Sequence, residues 1–536
     1  MQSSLFYKNS LLQPMAGSFC RSVRFSTICL ALLVLFSFAS PDLFAGEPAL
    51  SIGSRLELFV DDFLIDHLSG EAQLLLHHPV PAEIVLVHDE PWEGSGSGYH
   101  SVFQDGDIYR LYYKAWQLSV TPDKVKTDDH PLFCCYAESD DGVHWRKPHL
   151  GLYEFRGSKD NNIVFIKGRM GGVDADGGHP AVFKDDNSHV APESRYKAIL
   201  RGSTHAGLYA FQSADAIHWQ PMSPTPIITD GAFDSQNLAF WDDVHQEYRA
   251  YWRYFTAGTA DDPYQGMRAI RTARSKDFIH WQEQKDLVYI DSPLEHLYTN
   301  VIKPYPRAPH IFIGLPTRYV DRGWSESMRA LPELEQREWR AKASSRYGTA
   351  LTEALLMSSR DGVTFKRWNE AFLRPGIERE GTWSYGQQYI AWWPVQTKSS
   401  MAGAPPELSL YAVESYWTGT SSALRRYTLR IDGFVSVNAS MAGGELVTKP
   451  LIFSGTKLVL NFSSSASGGI QVEIEDETGK PIPGFSLDEC PPIFGDTLER
   501  TVSWQSGSDL SGLVGKSVRL RFLLKDADLY SLRFVR

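Results

Sequence analysis

A phrase of seven residues recurs four times along this chain: Ser139-Asp-Asp-Gly-Val-His-Trp145, Ser213-Ala-Asp-Ala-Ile-His-Trp219, Ser275-Lys-Asp-Phe-Ile-His-Trp281 and Ser359-Arg-Asp-Gly-Val-Thr-Phe365. Recurrence on this scale marks one supersecondary unit used repeatedly, because a unit too small to bury its apolar face alone buries it against its own copies. Each copy follows a strand-like run and ends in an aromatic residue, the pattern of a hairpin turn with its return strand. The central Asp accepts hydrogen bonds from the N–H groups of the turn, and the terminal ring buries apolar area between neighbouring sheets. The phrases are therefore scaffold rather than chemistry. Their spacing is uneven, which predicts blades carrying loops of different length.

Five strand pairs accompany the four phrases, at Val102 to Tyr113, Ala181 to Leu200, Leu238 to Arg253, Val301 to Gly314 and Gln388 to Val413. Together they predict an all-β chain with a five-bladed β-propeller over residues 46–422. The polar excursion Glu333 to Ser345 reads as a helix or flap inserted in a loop. After Ser422 the phrases stop and alternating strands follow, at Leu458 to Phe462, Ile470 to Ile474 and Ser517 to Leu523. Residues 423–536 are expected to form a C-terminal β-sandwich.

Composition narrows the function classes. With 536 residues, 43% hydrophobic and 12% aromatic, the chain has material for two cores and is too aromatic for disorder. A net charge of −11, with no basic stretch after the first residues, argues against a nucleic-acid partner. Residues 1–45 read as a signal peptide: Lys8, Arg21 and Arg24 precede an apolar run from Ile28 to Phe38, and Leu43-Phe44-Ala45 offers a cleavage site before Gly46. The expected location is secreted or periplasmic, with no integral membrane domain after removal of the signal; an uncleaved anchor is the alternative. Cys134, Cys135 and Cys490 then remain, too few for a disulfide framework and without zinc spacing. Cys134 and Cys135 read as core residues. No cofactor and no metal site is expected; Asp174, Asp176 and Asp185-Asp186-Asn187 match no defined calcium loop.

Chemistry in a propeller gathers where the inner strands begin. The polar residues opening those strands are Tyr99-His100-Ser101, His179-Pro180, Asp234-Ser-Gln236-Asn237, Glu295-His296 through Asn300, and Trp383-Ser-Tyr385. Two are carboxylates in neighbouring blades, and glycosidic cleavage needs such a pair, one protonated and one ionised.

Phe233-Asp-Ser-Gln-Asn-Leu-Ala-Phe-Trp-Asp242 resembles the Arg-Asp-Pro motif and the strand after it in the five-bladed glycoside hydrolases of families 32 and 43. Ser292-Pro-Leu-Glu-His-Leu-Tyr298 is similar to their later Glu motif, and Arg425-Arg-Tyr-Thr-Leu-Arg-Ile-Asp-Gly-Phe434 to the entry into the family 32 sandwich. The chain also resembles secreted planctomycete-type proteins of mostly unassigned activity. The resemblance implies a glycan or oligosaccharide substrate, with Asp234 as transition-state stabiliser and Glu295 as general acid. It fails where those families open the first blade with Asp, for this chain has Gly98-Tyr99-His100 there. Glu93, or Asp89 beside it, is the available substitute as base or nucleophile; without one there is no hydrolysis of the family kind. His100, His179, Gln236, Asn237, His296, Arg318, Trp383 and Tyr99 are candidate substrate contacts. Arg268, Arg271 and Arg318 are candidate forks for a carboxylate on an acidic sugar. Asp61 and Asp62 read as turn or edge residues.

Two further function classes remain open. A sialidase-like hydrolase is one, since the phrase is similar to the sialidase Asp box though one residue shorter between Asp and Gly; it would need six blades, an Arg cluster and a Tyr nucleophile. A non-catalytic carbohydrate-binding propeller is the other.

Overall fold

The computed structural model describes residues 48–203 and 207–536. The signal segment proposed for residues 1–45 lies outside them. The chain is mostly β-strand: five mainly antiparallel sheets follow one another along the sequence, a three-stranded and a two-stranded sheet accompany them, and a further large sheet joins the two ends of the described chain.

The first sheet runs through Gly98–Asp105, Ile108–Ala115, Phe133–Ser139 and Trp145–Arg146, and the second through Val173–Lys184, Tyr196–Gly202, Leu208–Ser213 and Gln220–Pro221. Leu238–Asp242, Glu247–Phe255, Arg268–Ser275 and Trp281–Asp286 make the third, and Ile302–Tyr305, Ala308–Gly314, Met357–Ser359 and Thr364–Arg367 the fourth. In the fifth, Val395–Thr397, Glu407–Glu414 and Ala423–Leu429 are completed by a strand from far upstream, Val80–Val87. The expected phrases join the third strand to the fourth in sheets one to four, and the upstream strand stands in for that hairpin in the fifth.

The phrases are built alike. Ser139 Oγ donates to Asp141 Oδ1 at 2.9 Å and accepts the Gly142 N–H at 3.0 Å, while Asp141 Oδ1 accepts the N–H groups of Val143 and His144, both at 2.8 Å. The same set recurs at Ser213 and Asp215, Ser275 and Asp277, and Ser359 and Asp361. The turn residue has positive φ in all four: Gly142, Ala216, Phe278 and Gly362. Its carbonyl is the point at which the next sheet attaches. Tyr112 of the first sheet donates to Ala216 O of the second at 2.7 Å, Tyr251 of the third to Gly362 O of the fourth at 2.8 Å, and Tyr411 of the fifth to Gly142 O of the first at 2.5 Å. Between the second and third sheets the equivalent tyrosine position is Ile199; there the turn residue itself, Phe278, packs against Phe183 with ring centroids 5.7 Å apart. Trp219 lies 5.2 Å from Phe165 and Trp145 5.9 Å from Tyr411, so these phrase aromatics pack half-buried against neighbouring elements.

The large sheet contains two strands of 19 residues, Lys457–Glu475 and Ser517–Val535, paired antiparallel with a shift between Ser464 and Gly469. The two halves of the second take different partners: Gly444–Thr448 beside one, Val435–Ala439 beside the other. Two domain boundaries differ from expectation. Ala423–Leu429 belongs to the fifth sheet, so the change of architecture falls after it; the Ser422 boundary misses this because both textures read as alternating strand. Leu50–Gly53, Glu57–Leu58, Ile65–Gly70 and Gln73–Leu76, assigned above to the propeller region, pair instead with C-terminal strands. The described residues form one compact unit. Arg360, inside the fourth phrase, pairs with Asp61 and with buried Glu57, each at 2.9 Å. Burial would raise the Glu57 carboxyl, but His310, Arg360 and Arg55 bring it down to about 2. Asp61 is thus a tether. Cys134 and Cys135 sit fully buried in the third strand of the first sheet.

Two outcomes follow for stability. Ser213→Ala leaves the buried Ala216 N–H without its acceptor and should cost about 1–3 kcal/mol in denaturant unfolding. Burial opposes ionisation of Asp141, Asp215 and Asp277, yet the turn N–H groups, the Ser hydroxyls and the following His hold all three well below the usual carboxylate range. Groups with depressed folded pKa stabilise above the unfolded value and lose that stability as pH falls through the folded one. The melting temperature should therefore drop steeply below about pH 4, and an Asp215→Asn variant should show a shallower acid limb.

Candidate functional site

The starts of the five sheets meet. Two β-bulges set the first contributions: in the first sheet Gly98 faces Lys114 and Ser101 faces Tyr112, so Tyr99 and His100 share one partner position. In the second, Asp176 pairs with Arg201 and Ala181 with Ile199, so Gly177–Pro180 loop out. Bulges re-aim side chains in this way. Tyr99 (φ 51°), Val301 (φ 44°), Trp383 (φ 55°) and Gln388 (φ 60°) hold left-handed conformations at or beside strand starts, strained for non-glycine residues and most of all for β-branched Val301.

An aromatic cluster results. Tyr99 lies 5.6 Å from the His179 ring and stacks on Tyr389 at 5.8 Å, Tyr389 stacks on Tyr298 at 5.3 Å, and Tyr385 donates to the Tyr298 hydroxyl at 2.8 Å. Cations border it. The Arg253 guanidinium lies 4.8 Å from the Tyr298 ring and pairs with Asp234; Arg268 lies 4.3 Å over Tyr319 and 5.4 Å from Tyr298; Arg346 lies over Tyr347 and Tyr385. Lys114 is buried among Tyr99, Trp116 and Tyr416 and donates to the Tyr416 hydroxyl at 2.7 Å. Burial brings its ammonium down to about 7, against the pull of Asp176.

Two titratable pairs stand out. Asp176 Oδ2 holds His179 Nδ1 at 3.0 Å and its Oδ1 accepts the Gly178 N–H at 2.8 Å. Burial works against the carboxylate, but His179, Gly178 and Arg201 bring Asp176 down to about 2. Burial lowers His179 despite Asp176, so its imidazole is neutral near pH 7. Tyr298 is the second case: burial alone would raise its phenol, but Arg253, the hydroxyls of Tyr385 and Tyr99, and Arg268 bring it down to about 8. Tyr99, Tyr385 and Tyr389 move upward instead, so the cluster shares one readily removed proton.

The three expected catalytic carboxylates do not share this site. Asp234 is at it, half-buried and paired with Arg253. Glu295 is turned away into an ion-pair network, 3.1 Å from Arg318 and 2.8 Å from Arg367, with Arg318 also holding Glu353. Glu93 is buried behind the first sheet: it accepts from Tyr113, from Lys147 at 2.6 Å and from the Glu90 N–H at 3.0 Å. Burial raises its carboxyl in spite of Lys147.

The expected substrate contacts divide as well. Tyr99 and His179 face the centre. His100 lies beneath it, Nε2 to Nε2 with His88 at 3.0 Å. Because His88 Nδ1 faces the Ser422 carbonyl at 3.1 Å, the network assigns the shared proton to His100, whose Nδ1 is buried without a partner. Gln236 donates to the Tyr99 and His100 carbonyls, both at 3.0 Å, and Asn237 to Phe233 and Ser235. They brace strand starts; neither is aimed at Asp234. His296 Nδ1 accepts the Arg268 N–H at 3.2 Å and lies 3.3 Å from its guanidinium. Trp383 is half-buried and donates to Gly376 O at 2.8 Å. Asp185, weighed above for calcium, pairs with Lys197 and accepts from Tyr248. Among the described residues no group of acidic, His and Cys side chains has metal-binding geometry.

The predicted helix is present as Leu334–Ala343, in an insertion between Thr317–Asp321 and Ala350–Ala354. Arg337 and Arg340 are buried, donating to the Trp383 carbonyl at 2.5 Å and the Trp417 carbonyl at 3.0 Å. This insertion covers one side of the tyrosine cluster. Arg253, Arg346 and the role of Asp176 escaped the sequence reading, which placed Tyr298 at a strand start but gave it no part in proton transfer. Arg346 adjoins the polar excursion, the one signal that pointed near it.

No family model matches the chain, and no curated protein does. Among solved structures the chain is similar at low identity to family 43 glycoside hydrolases. One is an arabinoxylan arabinofuranohydrolase from Bacillus subtilis in complex with cellotetraose, at 11% identity and TM-score 0.36 over 83% of this chain and 96% of that one. A thermostable family-43 glycoside hydrolase matches at 11% and 0.39, over 63% and 92%. An N-acetylgalactosamine deacetylase from F. plautii in complex with blood group B trisaccharide matches at 13% and 0.39, over 66% and 96%. Likeness at this level assigns no chemistry to this chain.

Tyr298 gives the site a spectroscopic signature. Ultraviolet difference titration should show one phenol ionising near pH 8, absent in Tyr298→Phe and shifted upward in Arg253→Gln. A folded protein with no phenol titrating below about pH 9.5 would contradict this.

Proposed function

We propose that the protein is a secreted glycosidase acting at this central site, on a five-bladed β-propeller made by residues 80–429 and joined to a β-sandwich built from residues 50–76 and 435–535. Five sheets of like order, linked in sequence, with Tyr411 of the fifth donating to the Gly142 carbonyl of the first, support the five-bladed reading over a six-bladed sialidase-like one. The observation that carries the function is the meeting of the five strand starts on one half-buried carboxylate, two proton-transfer groups and a set of aromatic faces.

In this reading Asp234, paired with Arg253, stabilises positive charge growing on the sugar ring. Tyr298 takes the role expected of Glu295: a phenol near pKa 8 is protonated at neutral pH and gives its proton to the leaving oxygen, Arg253 and Arg268 stabilising the phenolate. His179, oriented by Asp176, is the base that activates water, in place of Glu93. Tyr99 and Trp383 supply stacking faces for sugar rings.

Asp234→Asn should lower turnover on a cleavable glycan by roughly 10²-fold or more with binding largely kept. The pH–rate profile should fall above about pH 8, where Tyr298 loses its proton; a Glu295→Gln variant as impaired as Tyr298→Phe would return the acid role to Glu295. If no glycan in a broad panel is cleaved while glycans still bind, the site belongs to a carbohydrate-binding propeller. Export is tested by intact mass, which should place the mature N-terminus near Gly46; material beginning at Met1 and held in membranes would indicate an anchor.

A further inference from the structure

The cations at the central site outnumber their partners. Arg253 takes Asp234, and Arg318 and Arg367 are occupied by Glu295 and Glu353. Arg268 and Arg346 enter no ion pair among the described residues, in a chain whose net charge is −11. Both guanidinium groups border one tyrosine cluster: Arg268 lies over Tyr319 and 5.4 Å from Tyr298, and Arg346 lies 4.6 Å from the Tyr347 ring and 5.7 Å from the Tyr385 ring and also interacts with the Tyr319 hydroxyl. Tyr319 and Tyr385 are themselves in edge contact at 6.0 Å. Nε of Arg253, Nε of Arg268 and Nη1 of Arg346 are buried and have no hydrogen-bond partner.

Buried guanidinium donors without acceptors are costly, and like charges gathered around one aromatic cluster add repulsion. Stacking on tyrosine faces, and a hydrogen bond from Arg346 to the Tyr319 hydroxyl, offset part of this but supply no opposite charge. His296 cannot neutralise Arg268, because its Nδ1 accepts from that residue and burial, with Arg268 itself, lowers the imidazole. A sugar hydroxyl would satisfy one donor and leave the charge. A carboxylate or sulfate ester presents several acceptor oxygens and the opposite charge, which is what a guanidinium fork binds.

We propose that Arg268 and Arg346, with Arg253 beside them, form a receptor for an anionic substituent on the saccharide, a carboxylate or a sulfate ester, so that the site selects acidic over neutral glycans. This rests on the reading of the centre as a saccharide site. Arg268 belongs to the third sheet and Arg346 to the covering insertion, so an anion held by both also ties the insertion down over the bound sugar.

Calorimetric titration of the folded protein with galacturonate, glucuronate and galactose 6-sulfate, against galactose and glucose, tests it. At least one acidic sugar should bind roughly tenfold or more tightly than its neutral counterpart, equivalent to about 1.4 kcal/mol. The uronate and sulfate arms show which anion is preferred, and inorganic sulfate should compete. Arg346→Gln should remove most of the preference while leaving neutral-sugar affinity within about twofold, Arg268→Gln should also remove most of the preference, and Arg346→Lys should retain part of it. If Arg268→Gln does not fold, Arg346→Gln, on the half-exposed edge of the insertion, still decides. Equal affinity for acidic and neutral sugars, an unchanged preference in Arg346→Gln, or no binding of any acidic probe at about 10 mM overturns the receptor. Cleavage of neutral glycans without acidic preference overturns the receptor alone; acidic binding without cleavage overturns the glycosidase alone.

Discussion

One antiparallel pairing holds the arrangement closed: Val80–Val87, near the start of the described chain, lies against Ala423–Leu429, the last strand of the fifth sheet. The strands of sheets one to four named above pair with the strand before or after them in their own sheet, whereas this pair joins segments separated by most of the protein. The loop-closure entropy of such a contact grows slowly with length, so a single well-made seam can carry it. The seam is reinforced by charge. Arg426 holds Glu83, Arg425 donates to the Ala82 carbonyl, and Lys147, in the outer part of the first sheet, donates to the Val87 carbonyl at 2.7 Å while holding Glu93. Glu93 therefore serves the seam. Its burial is tolerated because Tyr113, Lys147 and the Glu90 N–H satisfy it.

Closure is what brings the strand starts together. Tyr99, His179, Asp234, Tyr298 and Tyr385 come from different parts of the chain, and four of them stand at or near a local departure from regular strand: the bulges at Tyr99 and at Gly177–Pro180, and positive φ at Val301 and Trp383. Strain of this kind persists only when the surroundings over-determine it. Gln236, reaching from the third sheet to carbonyls of the first, is one such brace. The polar centre is also dry: Lys114, His100 and Tyr298 are buried, and for each the removal of water from a charge, or a neighbouring cation, moves its proton affinity far from the ordinary value.

The carboxylates show where reading from sequence loses resolution. Asp234 and Glu295 stand at equivalent places, each just before an apolar strand, and nothing local separates them. Their partners do: Arg253 keeps Asp234 at the centre, whereas Arg318 and Arg367 draw Glu295 outward. Those arginines come from other strands, so the outcome depends on register across sheets rather than on the motif around Glu295. Asp176 is the converse, a residue with no motif that orients His179 because a bulge places it three residues away on the same loop.

The sequence by itself determined the repeating unit. Ser, Asp and a following aromatic are enough to build each turn, because every hydrogen bond in it spans two or three residues, and four copies specify a series of like sheets; the helix at Leu334–Ala343 was legible for the same local reason. Only the tertiary structure decided which strand completes the fifth sheet, that residues 50–76 belong with the C-terminal strands, and which titratable groups share the centre. Those are contacts between residues far apart in the chain, and they follow from how the sheets bury tyrosine rings against one another's turns, a constraint that no segment carries alone.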